Sequence, residues 1–401
     1  MKFYNLKSTM QKKKITIFLV LIICLLSLSL FIKPEYCVSA SDDIEESLTV
    51  STSEVIDSID LSELEEIVAG LELNNLFGMS VSEKISSIIS GEYFTNYSSI
   101  FSAILSLFFI DIRSLLPLIF TILAIGLLSS ILNSFKSDSN DTSDMVYFVC
   151  YGVVVILILI SFKDILSSIS TVISNISSVM QIVFPILITL LVSIGSMSSI
   201  SIYNPLVAVL TTAVDFVFEK LLYPIFILIF IFTVLGNLTN SIRLDKLNKF
   251  FMSTFKWVIG IVLTLFTGFL SIQGISAGRF DSISIKATKF ALKSYIPLIG
   301  SFVADGMDFI VLGSILVKNT IGLVAIFILF IMIISPIIKM VVYKLLLQLT
   351  SGVLEVSGAD KMSTFIQDIS KVLLLPIVII IGISFMFIIT VALIMCTANV
   401  F

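Results

Sequence analysis

The clearest candidate for catalysis is Ser276, which lies in the stretch GISAG at residues 274–278. This stretch fits G-x-S-x-G, the turn that carries the nucleophile of many serine hydrolases. Such a serine needs a base and a strand–turn–helix setting, but the sequence has no histidine and Ser276 follows an apolar run. Lys286 is a formal alternative base, and no feature of the sequence brings it to Ser276. We therefore interpret the glycines as the flexible end of a membrane span and predict a non-enzymatic protein.

The sequence also has few side chains that could bind a metal or a cofactor. Histidine, the commonest metal ligand, is absent, and the four cysteines lie far apart with no C-x-x-C pair. The chain also lacks the G-x-x-x-x-G-K-S/T motif that binds nucleotide phosphates, and it has no basic stripe with interleaved aromatic residues. The sequence therefore predicts no cofactor, no metal site and no nucleic-acid partner.

Composition points to the membrane. Hydrophobic residues make up 57% of the 401 residues and charged residues only 13%, about half of the share in soluble domains. Repeated apolar runs of about 18 or more residues indicate spanning helices. We predict an all-α, polytopic membrane protein with amphipathic interfacial or re-entrant helices between its spans. The eight predicted spans are residues 114–133, 145–162, 181–197, 203–218, 221–237, 253–272, 320–338 and 373–396.

The distribution of charge divides the chain into three segments. Lysines precede an apolar run at 15–32 and a small-residue triplet ending at Ala40, which is the pattern of a signal peptide over residues 1–40. That segment is either cleaved or retained as an anchor. Residues 42–92 then hold thirteen Asp and Glu against one Lys. We predict an acidic, helical extracytoplasmic segment at 41–97 and a polytopic membrane domain at 98–401.

The acidic segment contains two short amphipathic patterns. Ser62 with Glu65, and Ser80 with Glu83, have the spacing of a capping box at a helix start. Apolar residues at helical spacing follow each box, so each predicts one short helix. Two such short helices cannot build much of a core alone, so we predict that the segment docks on the membrane body or on another protein. Its charged surface is either a solvated acidic face or a surface for a partner protein. The apolar positions are Leu61, Leu64, Val68 and Leu71 in the first helix and Val81, Ile85, Ile88 and Ile89 in the second.

Two further segments are amphipathic. In residues 165–180 isoleucines recur on one helical face and serines lie opposite, and residues 341–370 look similar. Such segments either lie along the bilayer surface or line a polar interior. The isoleucines of the first segment are Ile165, Ile169, Ile173 and Ile176.

Residues 274–319 form the most polar part of the membrane domain. Arg279, Lys286, Lys289 and Lys293 are spaced to share one face of a helix that ends near Pro297. The Lys/Arg distribution over the other loops places this segment on the outer side, against the positive-inside rule, so the segment is predicted to be re-entrant or buried. Its basic face either meets anionic lipid headgroups, lines a polar path or docks an acidic partner.

Other charged residues lie near or within the predicted spans, where charges are costly and often functional. Asp305 and Asp308 share a helical face, and Lys318 and Asn319 immediately precede a span. Asp215 and Glu219 are one turn apart and suit either ion coupling or contact with the headgroups. The candidate interaction or pathway residues are Gln273, Gly274, Arg279, Lys286, Lys289, Lys293, Asp305, Asp308, Lys318 and Asn319.

A specific pattern runs through residues 268–322. It comprises GFLSIQG at 268–274, K-x-x-K-F at 286–290, P-x-x-G at 297–300, Asp305, LVKN at 316–319 and IG at 321–322. This pattern resembles the stage III sporulation protein AE family of endospore-forming Firmicutes. The layout of the whole chain, with a signal-like start, a short acidic segment and many spans, is also similar to that family.

The resemblance implies a role in sporulation. The family belongs to a multi-protein assembly of the mother cell which, with a forespore membrane protein, is thought to bridge the two membranes around the forespore. The resemblance therefore implies a multi-pass protein of the mother-cell membrane and a secretion-like channel or feeding conduit. Its partners would be other stage III sporulation proteins, membrane lipids and further copies of the chain. No catalytic residue is carried over, and a permease-like transporter of a small solute is the alternative.

Overall fold

The computed structural model describes residues 56, 59–70, 80–89, 97–134, 141–238, 244–274 and 300–397. Within these ranges the description of residues 97–100, 132–134, 141–144, 147, 198, 215, 271–274 and 300–309 is limited to the backbone. All the described residues lie in one compact unit, residues 48–401. The predicted signal segment, residues 1–40, lies outside the described residues.

Every regular element in the described part of the chain is a helix, as the sequence predicts. The elements are α1 (Ser62–Ala69), α2 (Val81–Ile89), α3 (Tyr97–Ser134), α4 (Asp141–Ser193), α5 (Met197–Ala213), a π-helical segment (Val214–Leu222), α6 (Tyr223–Leu238), α7 (Asp245–Gly274), α8 (Gly300–Val356), α9 (Asp360–Val372) and α10 (Leu374–Cys396).

Six helical stretches in the described residues are long and apolar enough to cross a membrane. The predicted spans 145–162 and 181–197 are both parts of α4, which has 53 residues, and a continuous helix crosses a bilayer only once. The predicted spans 203–218 and 221–237 are likewise joined, through the π-helical segment. The six helical stretches differ from the eight predicted spans at these two places because charged and hydroxyl residues interrupt hydropathy without interrupting helical hydrogen bonding.

The centre of the molecule is a long hairpin formed by α8 and the pair α9–α10. The chain reverses at Ser357 and Gly358, and Gly358 has a φ of 83°, a conformation that suits glycine. Ser351 and Ser363 each donate a hydroxyl hydrogen bond to the other's carbonyl, at 3.0 and 2.9 Å. These bonds hold α9 against the last turns of α8.

The helix α10 is buried on almost every side. Phe184 of α4 packs on Phe387 with ring centroids 5.6 Å apart, and Phe218 of the π-helical segment lies 3.4 Å from the Cβ position of Gly382. A helix that is apolar all round is stable only when other helices cover it. The arrangement of α4, the π-helical segment and α8 around α10 meets this requirement.

A second hairpin packs on the first. The chain turns at Ile194–Ser196, after which α5, the π-helical segment and α6 run back along α4. Tyr223 donates to the Leu166 carbonyl at 3.1 Å and Tyr151 donates to the Asn237 carbonyl at 2.9 Å. The π-helical segment ends two residues before Pro224, which has no N–H for a helical bond, so the wider turn accommodates the proline within a continuous helix.

The predicted faces of the amphipathic segments are confirmed. Ile165, Ile169, Ile173 and Ile176 are all buried, with the serines opposite them, although they belong to the continuous helix α4 and not to a separate interfacial helix. In α9 the apolar residues are buried, and the charged residues are exposed or, for Asp368, half-buried.

The two helices of the acidic segment are also present, with one change. At α2, Ser80 and Glu83 form the reciprocal capping box, with bonds of 3.0 and 3.2 Å. At α1, Ser62 makes no cap; Asp60 instead accepts the N–H of Ser62 at 3.0 Å. Ser62 is already the first residue of α1, so its side chain does not precede the helix as a cap must, and Asp60 accepts the first N–H instead.

We expect Gly322→Leu to loosen the central hairpin. A Cβ at Gly322 would lie 2.5 Å from Met395 Sδ and 3.2 Å from Val391 Cγ1, so a leucine there must displace the Met395 side chain or push α8 and α10 apart. Overpacking of this kind costs about 1–3 kcal/mol. The apparent melting temperature in detergent should fall for Gly322→Leu and stay unchanged for Gly260→Leu, since a Cβ at Gly260 meets nothing within 4 Å. Equal melting temperatures for the two variants would contradict the close contact.

Candidate functional site

The structure describes some of the predicted site residues in full, some only by their backbone, and some not at all. Arg279, Lys286, Lys289 and Lys293 lie outside the described residues, so the predicted basic helix is not tested. Gln273 and Gly274 are the last two residues of α7, and Asp305 and Asp308 lie in the first turns of α8; the backbone places these four residues and nothing more is described of them. Lys318 and Asn319 are described in full.

Lys318 is completely buried in α8, although it is a charged residue at the edge of an apolar run. Its Nζ donates a hydrogen bond to the backbone carbonyl of Thr397, the residue that follows α10. Asn319, the next residue, is half-buried. A buried ammonium is costly unless hydrogen bonds replace its water, and the carbonyl of Thr397 supplies one of them.

The geometry of Thr397 explains why its carbonyl is available. The backbone leaves the helical conformation here, with φ −78° and ψ 142°, so α10 ends. The last carbonyls of a helix have no partner within the helix and carry a partial negative charge. A lysine ammonium at this position satisfies a carbonyl and complements the helix dipole at the same time.

Tyr203 of α5 completes this end of the hairpin. The Thr397 hydroxyl donates to the Leu393 carbonyl at 2.8 Å, so it accepts from the Tyr203 hydroxyl, which lies 2.8 Å away. Lys318, Thr397 and Tyr203 thus tie α8, α10 and α5 together, and we call these three residues the hairpin clasp. Tyr203 and Thr397 were missed in the sequence, because a tyrosine and a threonine on separate apolar helices carry no signal of a shared site.

A second buried lysine lies where the acidic segment meets the membrane helices. Lys84 of α2 is buried, and its Nζ lies 4.6 Å from the centre of the Phe327 ring of α8. Val81 and Ile85 on the same face of α2 are also buried. The helix α2 therefore docks on α8 instead of standing free, with its apolar face and its lysine turned inward.

Burial lowers the pKa of Lys84 from 10.5 to about 8. The aromatic face of Phe327 attracts the ammonium form, but removal from water disfavours that form more strongly. Below about pH 8 the amine is charged whether or not α2 is docked, so the free energy of docking includes the full cost of removing an ammonium group from water. As the pH rises from 8 toward 10.5 that cost disappears, and docking becomes more favourable.

The other described features offer little chemistry. Among the residues that the structure describes, no group of His, Cys, Asp or Glu could hold a metal ion. A groove of about 890 Å³ lies between α3 and α8 and is lined mainly by apolar side chains such as Phe108, Ile112 and Leu349. On the π-helical segment Glu219 is half-buried and Lys220 is exposed.

Comparison with known proteins gives a consistent result. The family model described as stage III sporulation protein AE matches residues 79–398. The chain is also 25% identical over 267 residues to "Stage III sporulation protein AE" of Bacillus subtilis (strain 168), a match that covers 67% of this chain and 66% of that relative. No solved structure matches. The matched region begins just before α2 and ends one residue after Thr397, so it contains both buried lysines and the whole hairpin clasp.

We expect Lys318→Met to fray the end of α10. Hydrogen bonds to charged groups contribute about 1.5–3 kcal/mol, so their loss should speed amide exchange in the last turn by about tenfold or more. Hydrogen-exchange mass spectrometry of residues 394–397 measures this change. The matched control is Lys361→Met, which removes an exposed lysine near the hairpin turn and should leave exchange in that turn unaltered. Unaltered exchange in Lys318→Met would show that the clasp does not hold the end of α10.

We expect docking of α2 to strengthen with pH. The protection factors of its amides, which are corrected for the intrinsic pH dependence of exchange, should rise between about pH 7 and about pH 9.5 because Lys84 loses its charge over that range. Lys84→Met should be protected to the same extent at both values, whereas Glu83→Gln should keep the rise. A fall in protection with pH would contradict the burial of an ammonium at this position.

Proposed function

Because the chain belongs to the stage III sporulation protein AE family, we propose that it is an integral membrane subunit of the mother-cell complex that connects to the forespore. In this proposal it acts as the base of a secretion-like channel or feeding conduit, in the mother-cell membrane around the forespore. Its partners are other stage III sporulation proteins and, through them, a forespore membrane protein. Membership of the family itself implies the coarser role, which is a membrane protein of sporulation.

The observation that carries the proposal is the extent of the family match. Residues 79–398 include every described helix from α2 to α10, so the matched unit is the whole membrane body together with the docked helix α2. A function that the chain shares with the family would therefore reside in this packed body as a unit. That supports an assembly role, in which the shape of the membrane body matters more than any single reactive group.

The packing of the body supports a structural role as well. The central hairpin is fastened at one end by Ser351 and Ser363 and at the other by the hairpin clasp. Both fastenings use side chains bonded to backbone carbonyls. Rigid packing of this type suits a scaffold on which other subunits assemble, and we propose that the protein is not an enzyme.

A second candidate function is transport of a small solute. The observation that favours it is the buried ammonium of Lys318, since charges at membrane depth often mark a transport path. The hydrogen bond from Lys318 to the carbonyl of Thr397 supports the structural role instead, because it uses the ammonium to cap a helix. Measurement of solute flux in proteoliposomes containing the purified chain alone separates the two functions.

We expect deletion of the gene to lower the yield of heat-resistant spores while vegetative growth continues. Affinity purification of a tagged, full-length chain from crosslinked sporulating cells should recover other stage III sporulation proteins. The control is the same tagged chain expressed during vegetative growth, when those partners are absent. Normal spore yield after deletion would overturn the sporulation role, and recovery of the chain without any such partner would overturn the complex.

A further inference from the structure

The apolar groove between α3 and α8 has dimensions that suit an acyl chain. Its volume is about 890 Å³, within the range of about 300–1,000 Å³ for small-molecule sites. The residues of α8 that line it extend from Val342 to Ser357, which is a length of about 22 Å at the rise of an α-helix. None of the described residues that line the groove is charged. The groove is therefore long and largely apolar, as the binding site of a lipid tail must be.

The groove opens on a surface that suits contact with lipid. Leu345, Leu349 and Val353, which lie along it, are 46%, 67% and 41% exposed. On α3, Phe120 is 63% exposed and belongs to a stretch, residues 114–134, that contains no charged residue. That stretch is about 31 Å long, which matches the hydrocarbon core of about 30 Å. Lipid tails are therefore the surroundings that the open side of the groove meets.

The groove is a local gap beside two helices that otherwise pack closely. A Cβ at Gly126 would collide with Leu354, and the hydroxyl of Ser130 donates a hydrogen bond to the carbonyl of Ser357. By contrast, Gly352 lines the groove and a Cβ built on it would meet nothing within 4 Å. The absence of a side chain at this glycine leaves space that a ligand can fill.

Two cationic residues lie at one end of the groove. The contacts just described show that α3 and α8 run parallel, and fourteen residues before the closely packed pair are Ile112 on α3 and Met340 on α8. Arg113 and Lys339 are therefore level with each other, within one turn of the Val342 end. Lys339 precedes Val342 by three residues and so shares its face of α8. Arg113 is exposed and Lys339 is half-buried.

The charge at this end of the groove favours an anion. A carboxylate is present at Asp111, but residues two positions apart point about 200° apart around a helix, so Asp111 lies on the opposite side of α3 from Arg113. Arg113 also borders the uncharged stretch of α3, which places it at the depth of the lipid headgroups. A ligand that fits here has a negative charge at headgroup depth and an apolar chain below it.

We propose that this groove binds one anionic phospholipid, with an acyl chain along α8 and its phosphate against Arg113 and Lys339. A guanidinium binds phosphate oxygens in a bidentate manner, and an ammonium adds a point charge. Long side chains on a helix point toward its N-terminus, which directs both cations away from the apolar groove and toward the headgroups. This site goes beyond the proposed function and does not depend on it.

Quenching of tryptophan fluorescence by brominated lipids tests the proposal. Trp257 is the single tryptophan of the chain, so Trp257→Phe leaves a background in which Leu349→Trp reports on the groove. The full-length chain is reconstituted into vesicles that contain brominated phosphatidylglycerol or brominated phosphatidylcholine at equal mole fraction. The affinity at position 349 should favour the anionic lipid about fivefold or more, since each Lys or Arg near the headgroups contributes about that factor. The matched control is Phe120→Trp, which faces the bulk lipid and should be quenched equally by both.

Substitutions at the two ends of the ligand separate its contacts. Arg113→Gln combined with Lys339→Gln should abolish the preference, whereas Lys344→Gln, on another side of α8, should keep it. Gly352→Phe fills the groove and should lower quenching at position 349. Gly260→Phe on α7 should not, although a Cβ there also meets nothing within 4 Å.

The remaining outcomes would overturn the proposal. Equal quenching by the two brominated lipids at position 349 would show that bulk lipid fills the groove. Absence of quenching by either lipid would show that protein covers it. The charge-retaining variant with Arg113→Lys and Lys339→Arg should recover the preference, and its failure to do so while the chain remains monodisperse in detergent would contradict a role for these two charges.

Discussion

The arrangement of the molecule depends on one constraint, which is that α10 has no polar face. A helix that is apolar all round must be covered on all sides, and α4, the π-helical segment and α8 supply that cover. The close contact at Gly322, where a side chain would collide with Met395, follows from this requirement. The polar groups at the end of α10 must still be satisfied, and for this reason the buried ammonium of Lys318 is directed at its last carbonyl.

In the part of the chain that the structure describes, two buried lysines contact the central hairpin at different places. Lys318 binds the end of α10 from within α8, while Lys84 brings α2 onto the Phe327 ring of α8. Burial of each lysine amine costs free energy, and a different partner offsets part of that cost at each site. For Lys318 the partner is the negative end of a helix, and for Lys84 it is an aromatic face. The acidic segment and the central hairpin are therefore coupled through α8.

Much of the local structure could be predicted from the sequence because its physical cause is local. The buried isoleucines of α4 follow from their spacing, and the reciprocal cap of Ser80 and Glu83 follows from two residues one turn apart. The predicted spans differ from the helices where adjacent residues in the sequence do not determine whether a helix continues. Lys163 and Asp164 lower the hydropathy of α4 enough to suggest a break, but nothing in their side chains breaks a helix, so α4 continues through them. The same holds for the charges around the π-helical segment.

The sequence by itself determined that this is an all-helical membrane protein, which faces of its amphipathic helices are buried, and to which family it is similar. Composition and periodicity carry that information because they act within a few turns of helix. Only the tertiary structure decided that Lys318 is a helix cap, that Tyr203 and Thr397 share its site, and that Lys84 docks on Phe327. Each of these contacts joins residues far apart in the chain, and the free energy of a buried charge depends on which distant group the fold brings to it.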